Sequence, residues 1–323
     1  MASVTLPESG KLAQNALIAG VIESVVTVDN FYEILPFDEV EGNALAYNRE
    51  ATLAPVATVG VGDTDGDIGA GVSSGSNQAE RTAAKDAATF DQITSSLTTI
   101  MGDAEINGLI QTTRSGDNDQ TATQIASKAK SAGRKYRDLL INGDATNYTF
   151  AGLLALCAAT QKVNTGNNGG ALSFEFMDAL IDQVTDKDGQ VDYITMPRRT
   201  VRSYYALLRA LGGASINDAV ELPSGAEVPA YRKIPIFSND NIPTTQTKGT
   251  TAGTTTTIMA GTLDDGSRQH GIAGLTAAGN AGMHVQDVGV SQTKDEHIWR
   301  VIWYVGLALF SELGLAAAPG ITN

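Results

Sequence analysis

Between Gly60 and Gln78 the chain is dominated by glycine, serine and aspartate, and long runs flank this stretch, "ALAYNREATLAPVATVG" before it and "AERTAAKDAATFDQI" after it. Two long arms around a glycine-rich tip predict a β-hairpin. Loops inside compact domains are short, so a connection of this length is expected to serve something outside the domain that carries it. Any fold proposed for the chain has to accommodate such an arm.

The remaining pattern mixes helices and strands irregularly. Ser9 is placed to cap a short helix over Lys11 to Val26, followed by an extended arm, "VDNFYEILPFDEVEGN". From Asp119 to Ile141, apolar Ile125, Ala129, Ala132, Tyr136, Leu139 and Leu140 form one stripe, with Lys128, Lys130, Arg134 and Arg137 opposite. "NGD" at Asn142 to Asp144 stops this helix with a glycine where a C-cap favours one. At about 1.5 Å per residue the helix extends about 34 Å, a rod rather than a connector. A second helix is expected over Phe174 to Thr185, capped by Ser173. "VDYITM" reads as a strand, and "PRRTVRSYYALLRALGG" as a helix with Pro197 in its first turn and Gly212 and Gly213 at its end. "AEVPAYRKIPIFSND" adds strands whose Pro229 and Pro235 belong at edges or bends. "TTQTKGTTAGTTTTIM" predicts a flexible hairpin, and "HVQDVG" and "HIWRVIWYVGLALF" predict two more strands. There is no fixed-period repeat, and the order suits neither a doubly wound sheet nor a barrel. The fold class is α+β with one long helix and one long hairpin.

Composition limits the function. With 323 residues, 42% of them hydrophobic, the chain can bury one large core or two ordinary ones. A net charge of −14 opposes a surface that neutralises many phosphates along a nucleic acid. Local basic patches at Lys128 to Arg137 and at Arg198, Arg199 and Arg202 read as charged faces of solvated helices. The single cysteine, Cys157, sits in an apolar run as a core residue, so no intrachain disulfide and no cysteine-based zinc site is possible. His270, His284 and His297 fall in unrelated local patterns without metal-ligand spacing. No nucleophile elbow, phosphate-binding loop or dinucleotide fingerprint occurs. Asp63, Asp65 and Asp67 match the first oxygen positions of a calcium loop, but Ile68 stands where glycine is needed and Ser74 where a bidentate glutamate is needed. The sequon "NYT" at Asn147 to Thr149 carries little weight without a secretory signal, which "MASVTLPESGKLAQ" does not resemble. The apolar run Ile298 to Phe310 is broken by Arg300 and too short to span a bilayer. These features lead to the expectation of a soluble intracellular protein that needs no cofactor.

One stretch, "YRKIPIFSNDNIP" from Tyr231 to Pro243, places an aromatic, two basic residues, a proline-bounded strand and an Asn/Asp turn together. With "LPFDEVEGNALAYNRE", "KYRDLLINGDATNYTFAGLLAL" and "DYITMPRRTVRSYYALLRALGG", and in that order, it resembles the major capsid proteins of tailed bacteriophages with the Hong Kong 97-type fold. The resemblance runs from about Gly10 to Ile321 and rests on order and spacing rather than on one motif. It implies an N-terminal arm (1–40), an E-loop hairpin (41–93), a peripheral domain (94–151 and 279–311) with its spine helix at about 119–141, and an axial domain (152–278 and 312–323). Tyr231 to Pro243 is then an axial-domain strand and turn, where neighbours in a capsomer meet.

The resemblance implies a non-enzymatic structural protein that self-assembles as hexamers and pentamers into an icosahedral virion shell around double-stranded DNA, assembled in the host bacterial cytoplasm. The implied partners are other copies of the chain, a portal protein and a cement or decoration protein, with no membrane. Some relatives begin with a scaffolding segment that is cut away. Here the arm helix starts within the first dozen residues, so a separate scaffolding protein is expected. Some relatives crosslink a hairpin lysine to an asparagine, but the only lysine between Glu41 and Phe90 is Lys85, and "QDVGVSQTKDEH" has no asparagine, so no crosslink is expected.

Arg49 and Glu50 at the base of the hairpin, Arg81 and Lys85 on its return arm, and Arg198 and Arg199 are the candidate intersubunit contacts. The hairpin charges read equally as solvated strand charges of little individual worth. An alternative function on the same fold is an encapsulin-type nanocompartment enclosing a cargo enzyme. A hydrolase using a carboxylate pair such as Asp264 and Asp265, and a Thr/Gly-rich adhesin, are the alternatives from other classes.

Overall fold

The computed structural model describes residues 31–54, 87–114, 119–187, 189–211, 219–223, 225–279 and 282–322. The helix expected over Lys11 to Val26, the hairpin tip, the "DTDGD" stretch, Arg81, Lys85, Gly212 and Gly213 lie outside the described residues. In chain order the elements are α1 (Phe31–Ile34), β1 (Phe37–Val40), β2 (Ala44–Thr52), β3 (Thr89–Ser96), β4 (Thr98–Asn107), α2 (Gly108–Arg114), α3 (Gln120–Asn142), α4 (Leu153–Leu156), α5 (Phe174–Thr185), β5 (Tyr193–Met196), α6 (Arg198–Ala210), β6 (Ala219–Glu221), β7 (Glu227–Tyr231), β8 (Ile234–Ser238), β9 (Gln246–Lys248), β10 (Thr251–Gly261), β11 (Ile272–Ala277), β12 (His284–Val290), β13 (Glu296–Leu309) and β14 (Leu315–Thr322). The chain divides into two compact units, Leu45–Thr94 and the remainder. The smaller unit contains the hydrogen-bonded pair β2 and β3, the two arms of the expected hairpin.

The larger unit is built on two sheets. One runs β14-β10-β5-β8-β7-β6, with β9 added beside β10. Its strands alternate between two apolar clusters with a period of two, as a sheet covered on both faces must. Ile194, Ile236, Ile258, Ala260, Ala316 and Ala318 point to the side packed by α5 and α6. Tyr193, Phe237, Met259, Leu315 and Ala317 point the other way, into a cluster shared with Tyr136, Leu139 and Leu140 of α3. Met177, Leu180 and Val184 of α5 are fully buried, each stabilising the fold by about 2 kcal/mol.

The second sheet is organised by β13. Its far end, Val305 to Leu309, pairs with β11, and its near end, His297 to Ile302, pairs with β12. Strand β4 pairs with β13 over the stretch from Glu296 to Val305. Ile100, Ala104 and Ile106 are the buried residues of β4, and α3 packs against β4 and β13.

Helix α5 starts where the sequence places it, and α3 one residue after the expected Asp119, which serves as its cap. The Asp119 side chain accepts from Thr121 N to cap α3, and the Ser173 hydroxyl accepts from Phe176 N to cap α5. Gly143 ends α3, but not through the left-handed conformation that glycine usually supplies, since its φ is −58°. A Cβ there would stand 2.2 Å from Phe150 O and 2.6 Å from Leu139 O. Glycine is required because two backbone segments close on it. Pro197 is the N-cap residue of α6 rather than part of its first turn.

Three expectations are corrected. Phe31 to Val40 is not an extended arm: α1 buries Phe31 edge-on against Tyr193, with ring centroids 4.8 Å apart, and β1 pairs parallel to β11. The Thr-rich stretch does form a hairpin, β9 and β10, but it is no flexible one. Strand β10 lies inside the sheet, and Thr255, Thr256 and Thr257 are buried because their hydroxyls donate to Gln246 O, Pro243 O and Gln246 Oε1. Pro229 sits in β7, which has partners on both sides, rather than at an edge. The ladder from β7 to β8 is only Ala230↔Pro235 and Tyr231↔Ile234, so Pro229 interrupts no bond on that side.

Candidate intersubunit surfaces

Strand β2 alternates in burial, so Arg49, half-buried, and Glu50, exposed, leave it on opposite faces. At the start of α6 the two arginines have separate duties. Arg199 Nη2 donates to Thr254 O at 2.7 Å and ties the helix to β10. Arg198 Nε lies 3.2 Å from Asp240 Oδ1 in an exposed ion pair. Arg202 and Arg209 continue the exposed face of α6. On α3, Lys128, Lys130, Arg134 and Lys135 are exposed, with Lys135 3.6 Å from Asp138.

Sequence reasoning missed the sharpest surface feature. Tyr148 is 98% exposed and sits at φ 64°, with Ala145 at 58° and Asn147 at 49° in the same loop after α3. A bulky residue in this region costs about 1 to 2 kcal/mol. The loop is held by the Asp144 carboxylate, which accepts from Thr146 N at 3.0 Å and from the Thr149 hydroxyl at 3.0 Å. Those hydrogen bonds, led by the one from Thr146, hold the Asp144 carboxyl below its ordinary value. The fold thus spends strain to hold an aromatic ring in water. The sequence signal was the Asp-x-Thr turn, which says nothing about the tyrosine.

A second strained turn joins β7 to β8. Tyr231 pairs with Ile234, leaving a two-residue turn with Arg232 at φ 53° and Lys233 at φ 66°. Asn and Gly are the residues suited to this primed turn; two long basic side chains there cost about 1 kcal/mol or more each. Tyr231 Oη donates to Asp178 Oδ1 at 2.8 Å, and Arg232 Nη1 lies 3.3 Å from the same oxygen. Burial first, and then this hydrogen bond, push the Tyr231 hydroxyl's pKa up.

Edge strand β12 adds apolar surface, with Val285, Val288 and Val290 exposed around a bulge between Asp287 and Gly289. His297 Nε2 and Asp287 Oδ1, 2.7 Å apart, bridge β13 to β12. In the hairpin unit, Leu53 and Phe90 are exposed, and the Thr52 and Thr89 hydroxyls bond at 2.6 Å.

The polar groups singled out for chemistry are engaged in structure. Asp264 accepts from Gly266 N and Arg268 N, and Asp265 from Ser267 N, so this carboxylate pair shapes a turn. A cleft of about 560 Å³ nearby is lined by Lys187, Asp192, Thr262 and His270. Lys187 Nζ donates to Gln161 Oε1 at 2.7 Å, and Asp192 Oδ2 accepts from Leu263 N at 2.8 Å. Cys157 is buried, and burial pushes its thiol up to about 11. Among the described residues no helix is long and apolar enough to cross a membrane.

No protein-family model matches the sequence, and no curated protein is similar to it. Solved structures are similar in fold. The holo-SrpI encapsulin complex of Synechococcus elongatus PCC 7942 superposes with a TM-score of 0.68 at 16% identity, covering 99% of this chain and 97% of that one. The capsid of Myoviridae phage XM1 does so with 0.60 at 12% identity, over 94% and 95% of the two chains. The chain has the Hong Kong 97-type capsid fold. The capsid of an empty GTA particle matches with a TM-score of 0.58 at 14% identity, over 94% of this chain and 100% of that one. The α+β class read from the sequence is this fold, and its neighbours are shell proteins rather than enzymes.

Proposed function

We propose that this chain is the major capsid protein of a tailed phage, assembling as hexamers and pentamers into an icosahedral shell that encloses double-stranded DNA. The observation that carries the reading is the extent of the likeness, which takes in nearly all of both chains for shell subunits of separate origin. Shell geometry also gives a use to features that weaken a solitary globule: an exposed Tyr148, a valine-lined edge strand and a separate hairpin unit. Each contact can be modest, because closed symmetry repeats it throughout the shell. An acidic chain also suits a container that must not adhere to its packaged DNA. A separate scaffolding protein, a portal and a cement protein are the partners this reading brings, with assembly in the host cytoplasm. Arg49, Glu50, Arg81, Lys85 and Arg198 remain the proposed contacts; Arg199 is proposed to act by fixing α6.

The second reading is an encapsulin-type compartment, favoured by the TM-score of 0.68 to an encapsulin. Electron microscopy of purified particles, with nuclease digestion of the same sample, separates the two. Angular shells with protected DNA are expected; protein-filled shells without DNA would establish the compartment, and a monomer at assembly concentrations would overturn both.

A further inference from the structure

The hairpin strand β7 carries opposite, unbalanced charges at its two ends. At one end Glu227 stands directly across from Glu221 of β6, both exposed. Like charges facing each other across a ladder destabilise it, and neither carboxylate has a cation partner among the described residues. Their neighbours Val220 and Val228 pack into the cluster on the opposite face, so both glutamates project on the face that carries α6. A cleft there of about 230 Å³ is lined by Glu227 with Val201 and Tyr205 of α6.

At the other end is the turn Arg232–Lys233, with both residues at positive φ. Arg232 is tied to Asp178 of α5, which fixes the turn, while Lys233 is exposed with no partner among the described residues. Four residue steps along β7 separate the ends by roughly 13 Å, so lysine and glutamates do not meet within one subunit. Two separate irregularities, a strained turn presenting a cation and a facing pair of anions, thus lie head and tail on one element.

Head-to-tail complementarity is what a ring of identical subunits requires, since each copy must offer both halves of the contact at different places. We propose that Lys233 of one copy pairs with Glu221 and Glu227 of the next copy around a capsomer, an inference that rests on the shell reading above. The ammonium donates to both carboxylates at once and relieves their repulsion. Being exposed before association, the contact weakens as salt rises.

The test uses the full chain, with assembly followed by light scattering and folding by urea denaturation. Lys233→Glu and the double variant Glu221→Lys/Glu227→Lys are each expected to lower the assembled fraction at least tenfold, and their combination to restore it. Lys233→Gly separates contact from folding, because it relaxes the positive φ while removing the charge. It is expected to unfold at higher urea than wild type yet assemble less, and with a weaker salt dependence than wild type. Normal assembly of the Lys233→Glu chain, or additive defects in the combined variant, would overturn the pairing while leaving the shell reading intact. A wild-type chain that never assembles would overturn both.

Discussion

Arg300 grips Asp103 across β13 and β4, its Nε and Nη2 donating to the two carboxylate oxygens at 2.7 and 2.9 Å. The pair is directly opposed in the ladder, and this forked geometry is among the stronger side-chain interactions. The hydrogen bond from Arg300 holds the Asp103 carboxyl below its ordinary value of 3.8. A depressed carboxylate stabilises the fold above its unfolded pKa, and that contribution is lost as pH falls through the folded value. Asp103→Asn should therefore cost about 2 kcal/mol near neutrality and progressively less below about pH 4. Urea unfolding at pH 7 and pH 3 measures the difference; an equal cost at both would show that the ion pair is not the source.

Tyr148 gives a prediction with two opposite readouts. Tyr148→Gly removes the strain at φ 64° and should raise the subunit's unfolding free energy by about 1 kcal/mol. Since aromatic anchors dominate protein interfaces, the same change should weaken assembly. Denaturation and light scattering on one preparation test both, and unchanged assembly would remove Tyr148 from the contact surface.

At Gly143 the conformation is permissive but the space is not. Gly143→Ala should destabilise by about 3 kcal/mol, because Phe150 O and Leu139 O must both retreat. Gly133, inside α3 with nothing within 4 Å of a Cβ, is the control. Gly133→Ala should stabilise by about 1 kcal/mol in the same unfolding assay.

Phe31 tests whether the segment ahead of β1 is part of the core. It is 1% exposed, and its ring meets Tyr193 at 4.8 Å and Phe237 at 5.7 Å. Phe31→Ala should cost about 3 kcal/mol. A loss below 1 kcal/mol in thermal or urea unfolding would mark the segment as peripheral, 1 kcal/mol being about the cost of an average substitution.

Sequence legibility followed the physics of each element. Helices α3 and α5 were readable because a polar cap and an apolar stripe coincide in them, at Asp119 with Ala132, Tyr136 and Leu139, and at Ser173 with Met177, Leu180 and Val184. Phe31 was not, because one aromatic in a four-residue helix makes no period and its partners lie far along the chain at Tyr193 and Phe237. The threonines of β10 were misjudged for a different reason. A Thr run looks solvated until Gln246 and Pro243 are seen to satisfy its hydroxyls. At the surface, Arg198 and Arg199 were grouped by type, yet only folding decides that Arg199 turns inward to Thr254 while Arg198 stays outside. Tyr148 and the turn at Lys233 depend on backbone φ, which a residue type suggests only when it is glycine or asparagine.

Strand β13 has a mechanical consequence. It is one continuous backbone of 14 residues, gripped by β4 along ten successive pairs and by β11 and β12 along its other edge. A tension applied along its axis from the Glu296 end would load those bonds together, in shear, rather than peeling them one by one. The strand is thus a tie-rod within the subunit, stiffest along its own length.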